Sequence, residues 1–236
     1  MSTRTPSADA GQSGILYVVA TPIGNLDDFS LRAAEILRSV ELILCEDTRR
    51  ARILLSRHDI QSRLQSLHEH NERRQVPALL FRLAAGETIA LISDAGTPTI
   101  SDPGYNLITA AVDAGARVVP IPGPSAVTAI LSVAGLPTDR FVFEGFLPMR
   151  SGKRQRRIAE LAIEPRTIVL FESPHRIVRL LAELYGAWGE RRACLGRELT
   201  KRFEEIRHGT LAELSQWAES HTLRGEIVLA VAGASD

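Results

Sequence analysis

The chain has 236 residues, 44% of them hydrophobic, enough to build one large core or two modest ones. Its 28 basic residues balance 28 acidic ones, so no global field recruits nucleic acid or membrane, and any polyanion site must be a local patch. No apolar run approaches the length needed to span a bilayer. The two cysteines, Cys45 and Cys194, have no second cysteine at metal-ligand spacing and read as buried thiols of a reducing, cytoplasmic compartment.

In chain order, residues 1–12 are Ser-, Thr- and Ala-rich without an apolar stretch, which predicts a disordered tail rather than a signal peptide. Short apolar runs then alternate with segments of helical periodicity, the pattern of an α/β layered fold. Strands are predicted at Ile15–Ala20, Glu41–Cys45, Thr88–Ile92 and Arg117–Ile121. Helices fall at Leu31–Ser39 behind the cap Ser30, at Thr48–Arg57, at Glu72–Ala84, and from Pro103 to Ala114 with Asp102 as cap. Pro122-Gly123-Pro124 marks a boundary, giving domains 13–122 and 123–236. Beyond it come helix Ser125–Val133, strand Phe141–Gly145, a basic helix start near Lys153, strand Thr167–Phe171 and helix His175–Ala187. Strands Ala193–Glu198 and Glu204–His208, helix Ala212–Ser220 and strand Glu226–Val231 follow. The first half predicts a largely parallel sheet and the second a mixed one. A cleft between two such halves is the default ligand site.

No Gly-x-Gly and no Walker A string occurs, which excludes the ordinary dinucleotide and P-loop fingerprints. Instead, turns rich in glycine and proline follow three predicted strands: Thr21-Pro22-Ile23-Gly24-Asn25-Leu26, Ser93–Gly104 (SDAGTPTISDPG) and Pro120–Ser125 (PIPGPS). In an open α/β sheet, ligands bind outside the carboxyl ends of the strands. The glycines permit close backbone approach, the prolines fix loop shape, and helix starts at Pro103 and Pro124 would direct N–H groups to the same edge.

The strings ATPIGNLDD, CEDTRR, SDAGTPTISDPG, PIPGPSA, FESPHR and RELTKRFEE occur in this order between about Ile15 and Gly233. In them the chain resembles the ribosomal RNA small subunit methyltransferase I family, a branch of the tetrapyrrole methylase superfamily. The resemblance implies a two-domain class III methyltransferase fold and S-adenosylmethionine as cofactor. It further implies a homodimer that methylates the ribose 2′-oxygen of a cytidine in the decoding region of 16S ribosomal RNA. Carried over by position, cofactor contacts fall on Pro22, Asp94, Ala95, Gly96, Thr97, Ile100, Ser125, Ala126, Phe171 and Gly225.

A ribose hydroxyl is a poor nucleophile, so a group near the cofactor should take its proton. Lys201 is one of only two lysines among the basic residues, the rest being arginines that cannot be deprotonated; beside other cations or in a dry site its pKa would fall far enough for a base. Glu226 and Glu172 are the next candidates, each equally readable as an ion-pair partner. For RNA, Arg49 and Arg50 sit on a strand-to-helix junction with Asp47 as cap. Arg150–Arg157 holds five basic residues (Arg150, Lys153, Arg154, Arg156 and Arg157) and no acidic one, a flexible cationic arm suited to phosphates. His68 and His70 have no third ligand nearby in sequence, so no metal is expected. Two other functions compete: a carbon methyltransferase acting on a tetrapyrrole, which would lack the cationic arm, and a non-catalytic RNA-binding protein, against which the intact Ser93–Pro98 turn counts.

Overall fold

The computed structural model describes residues 14–234; the predicted tail, residues 1–12, lies outside them. The chain divides into two compact units, one running through Pro22 and from Leu26 to Gly123, the other made of Ile23–Asn25 and the chain from Pro124 onward.

The first unit is built on a parallel sheet of β1 (Ile15–Val19), β2 (Leu42–Cys45), β3 (Leu64–Ser66), β4 (Ile89–Ile92) and β5 (Arg117–Ile121), in the order β3-β2-β4-β1-β5. Strand alternation sends successive side chains to opposite faces. Val19, Ile43, Cys45, Ala90 and Ile92 therefore pack under α1 (Leu31–Ser39) and α2 (Thr48–Arg57). Leu16, Leu42, Leu44, Ile89 and Leu91 pack under α3 (Glu72–Ala84) and α4 (Tyr105–Asp113). With both faces covered, β2 and β4 are buried throughout, which is why they read as unbroken apolar runs. Ser30 caps α1 and Asp47 caps α2, each side chain accepting an N–H of the first turn.

Two expectations for this unit need correction. The edge strand β3 was not predicted, because Leu64–Ser66 is short and only half-buried. Helix α4 starts at Tyr105 behind Gly104, not at Pro103 behind Asp102, since Gly104 at φ +120° breaks the helical path. The cap comes from elsewhere: the buried carboxylate of Glu72, at the start of α3, accepts from Leu107 N at 2.9 Å and Asn106 Nδ2 at 3.0 Å. It thereby satisfies donors that every helix leaves open.

The second unit holds a mixed sheet, β6-β7-β10-β8-β9, comprising β6 (Phe141–Phe146), β7 (Thr167–Glu172), β8 (Arg192–Arg197), β9 (Glu205–Thr210) and β10 (Ile227–Val231). Only the β6–β7 pair is parallel. One face carries α6 (Ser151–Leu161), α7 (Ile177–Trp188) and α8 (Leu211–Glu219); the other carries α5 (Ala126–Val133) together with Ile23 and Leu199. Thr210 and Glu213 form a reciprocal capping box on α8. The stretch Arg150–Arg157 is not a flexible arm but the cap and first turns of α6. Its apolar partners Ile158 and Leu161 seat that helix in the core.

Candidate active site

In the first unit the connection after β1 runs to β2 on one side, whereas the connection after β4 runs to β5 on the other, with α1 and α4 on opposite faces. Adjacent strands whose connections diverge open a crevice at their carboxyl ends. The two turns there are Thr21-Pro22 and Ser93–Gly96. They are tied by reciprocal bonds, Thr21 N to Gly96 O at 2.9 Å and Gly96 N to Thr21 O at 3.1 Å. The buried Thr21 hydroxyl donates to Ser93 O at 3.1 Å, and Ser93 Oγ to Gly96 O at 3.0 Å. Gly96 stands at φ +83°, and the non-glycine residues Thr99 and Ser101 at +72° and +67°. Strained non-glycine backbone persists only where its surroundings over-determine it, and it concentrates at ligand sites.

Asp94 is held from the neighbouring β2–α2 junction. Its Oδ1 accepts from Asp47 N at 3.1 Å and its Oδ2 pairs with Arg50 at 3.2 Å. Arg49 chelates Asp47, which lies well below the ordinary carboxylate range because of that hydrogen bond. Burial, then the charge of Asp94, pushes the neighbouring Glu46 upward. The CEDTRR string is thus a charged collar around the Ser93 turn, with Arg49 and Arg50 mostly exposed. His68 and His70 have ring centroids 6.0 Å apart, and no group of three metal-ligating side chains occurs among the described residues.

The second unit carries the other carried-over residues. Ser125 precedes α5 in extended conformation and its hydroxyl does not cap its own helix. Phe171, half-buried near the end of β7, meets Phe143 and Phe146 edge to face at 4.9 and 5.7 Å. Glu172 is buried; Oε1 accepts from Ser173 N at 2.7 Å, and Oε2 lies 3.0 Å from Arg176 without an aligned hydrogen bond.

Lys201 and Glu226 are brought together, with a third member that has no signal of its own in the sequence, Glu198. Lys201 Nζ donates to Glu198 Oε1 at 2.8 Å and to Glu226 Oε2 at 2.9 Å, and Glu226 N donates to Glu198 Oε1 at 2.9 Å. Two glycines make room. A Cβ on Gly24 would stand 2.3 Å from Lys201 Cγ, and one on Gly225, at φ +84°, 2.2 Å from Glu198 Cδ. The expected depression of the Lys201 pKa is overturned. Burial pulls it down, but the hydrogen bonds and charges of the two glutamates outweigh burial and hold the ammonium above the ordinary lysine value. Glu198 moves the other way: burial raises it, and Lys201 with the Glu226 N–H brings it below the usual range.

Of the five basic residues at α6, two are not available to phosphates. Arg154 is buried and chelates Glu183 at 2.6 and 2.9 Å while donating to Met149 O. Arg157 is held by Glu144 and Glu160. Arg150, Lys153 and Arg156 are exposed.

Residues 15–215 match the model of the tetrapyrrole (corrin/porphyrin) methylases. The chain is 52% identical over 224 residues to the ribosomal RNA small subunit methyltransferase I of Pseudomonas aeruginosa, covering 94% of this chain and 79% of that one. The enzyme of the same name from Mesorhizobium japonicum is also 52% identical, with 92% and 74% covered. The chain belongs to the ribosomal RNA small subunit methyltransferase I family of the tetrapyrrole methylases. It is therefore a methyltransferase. The fold agrees: a Thermus thermophilus uroporphyrin-III C-methyltransferase complexed with S-adenosyl homocysteine aligns at TM-score 0.63 and 17% identity, covering 93% of this chain and 97% of that one. No helix among the described residues of this family member is long and apolar enough to cross a membrane.

Proposed function

We propose that the chain methylates the ribose 2′-oxygen of a cytidine in the decoding region of 16S ribosomal RNA, as a cytoplasmic homodimer that uses S-adenosylmethionine. The observation that carries RNA over a tetrapyrrole is the 52% identity with relatives named for ribosomal RNA, against 17% with the uroporphyrin enzyme. The cofactor assignment is Pro22, Asp94, Ala95, Gly96, Thr97 and Ile100 in the first unit and Ser125, Ala126, Phe171 and Gly225 in the second. These residues suit that group: the Gly96 turn admits close backbone contact, the Ser125 hydroxyl is not used by its helix, and Phe171 offers an aromatic ring. S-adenosylmethionine supplies an electrophilic methyl on a sulfonium.

The chain's own contribution is position and proton transfer. With its pKa raised, Lys201 holds its proton at neutral pH and serves as a fixed cation. Glu226, two-thirds exposed and steered by Lys201, is the group that takes the 2′-hydroxyl proton. Glu172, buried against Arg176, supports the fold of the FESPHR turn rather than the reaction. Arg49 and Arg50, mostly exposed although paired with Asp47 and Asp94, and the exposed Arg150, Lys153 and Arg156 supply phosphate contacts.

Purified protein with labelled S-adenosylmethionine should methylate small ribosomal subunits lacking the modification, at a single cytidine, and sediment as a dimer. Absence of transfer to RNA, or transfer to a porphyrinoid, would sink the assignment.

A further inference from the structure

The β8–β9 connection, Glu198–Glu204, is held unusually firmly for a hairpin loop. Glu198 and Thr200 sit at φ +51° and +65°. Glu198 N donates to Glu226 O at 2.9 Å, Lys201 N to Glu198 O at 3.0 Å, Glu204 N to Lys201 O at 3.0 Å and Thr200 N to Glu204 Oε2 at 2.6 Å. Leu199 plugs the loop into the core beside Ile130 and Val228. What this scaffold turns outward is Arg202 and Phe203, immediately after Lys201. The Phe203 side is 68% exposed, and the Arg202 guanidinium lies over its ring at 5.5 Å from the centroid. Arg202 forms no ion pair among the described residues, whereas Lys201 is neutralised by two glutamates and Glu204 is turned back onto Thr200 N.

We infer that Arg202 and Phe203 form a stacking platform for an unpaired base of the RNA substrate. A phenyl ring this exposed buries little within the unit, and its firmly held loop presents it to something outside. A nucleobase fits what is there: its π-face stacks on phenylalanine or on a guanidinium plane, and the Arg202 charge suits the phosphate that accompanies each base. Single-stranded RNA is recognised by such splayed bases, and a base held on Phe203, two residues after Lys201, would fix the strand beside the proposed proton acceptor Glu226. The inference rests on the RNA reading above.

The test uses the full chain and the variants Phe203→Tyr, Phe203→Leu and Phe203→Ala. The readouts are S-adenosylmethionine affinity, sedimentation, and kcat and KM on small subunits lacking the modification. Stacking predicts that Phe203→Tyr keeps most of kcat/KM. Phe203→Leu, which keeps apolar bulk but not the ring, and Phe203→Ala should each lose about tenfold to a hundredfold. All three should keep wild-type cofactor affinity and mass. Phe203→Leu at the wild-type kcat/KM overturns the platform while leaving the RNA assignment standing. Loss of the dimer in Phe203→Ala also overturns it, because the ring then serves a second copy of the chain. If the unaltered protein transfers no methyl to RNA, the RNA assignment and the platform fail together.

Discussion

Lys201 shows how a residue can be conspicuous in sequence while its chemistry is not. Its scarcity among arginines marks it out, but its protonation is set by Glu198, three residues before it, and Glu226, just ahead of β10. That meeting depends on the antiparallel pairing of β8 with β10, which no local pattern reports. A lysine followed by Arg202 reads as a cation beside a cation; folded, it is a cation between two anions, so its pKa moves up. The sign fixes a pH profile. A lysine base would make kcat rise tenfold per pH unit as it loses its proton, whereas a lysine that stays charged gives a flat kcat between about pH 7 and 9. We expect the flat profile, measured by methyl transfer at saturating cofactor. A slope of one would return the proton to Lys201. Glu226→Gln should lower kcat by about 10²- to 10⁴-fold with cofactor affinity unchanged. Gly24→Ala should lower kcat without removing any charge, because its methyl would stand 2.3 Å from Lys201 Cγ and 2.8 Å from Leu199 O, displacing the ammonium.

At the scale of elements, helix α6 separates structural from binding arginines. Its five basic residues look alike in sequence because their partners Glu183 and Glu144 lie on α7 and β6, 29 and 13 residues away. The helix itself was visible only as a start near Lys153, since charges hide its apolar stripe. By contrast α1, α2 and α3 were legible to their ends: each carries an apolar face, and a side-chain cap marks the start of the first two. Cations around the first turn of α6 oppose the helix dipole, so Arg150, Lys153 and Arg156 are not there for helix stability. Replacing all three with alanine should leave thermal stability nearly unchanged and reduce the slope of log affinity for RNA against log salt by about two, roughly 0.7 per lost phosphate contact on a single strand. Arg154→Ala should do the reverse. It leaves Glu183 with only the exposed Arg179 as partner, frees Met149 O and empties a buried site, and should cost about 2 kcal/mol of stability in denaturant melts, with little change in the salt slope. An Arg154→Ala protein that melts like wild type, or a triple variant with an unchanged slope, would contradict this division.

For the whole molecule, the pattern of apolar strands predicted two sheets, one parallel and one mixed, and each unit has its own buried cores. Each also contains one cysteine. Cys45 ends β2 in the first unit and Cys194 lies within β8 in the second; both are buried and unpaired. Burial pushes each thiol up to about 11, with the Asp94 and Asp47 charges adding to the effect at Cys45. Only the thiolate is the nucleophile, so at neutral pH neither cysteine meets the requirement of accessibility or of ionisation. An aromatic disulfide reagent should titrate no thiol in the native chain and two after denaturation. The Cys45→Ala and Cys194→Ala variants should each yield one. Since labelling then requires opening of the sheet that holds the remaining thiol, its rate in rising denaturant reports the opening free energy of that unit separately. Labelling of either single-cysteine variant at the rate of a free thiol, without denaturant, would show that its strand is not held in the core.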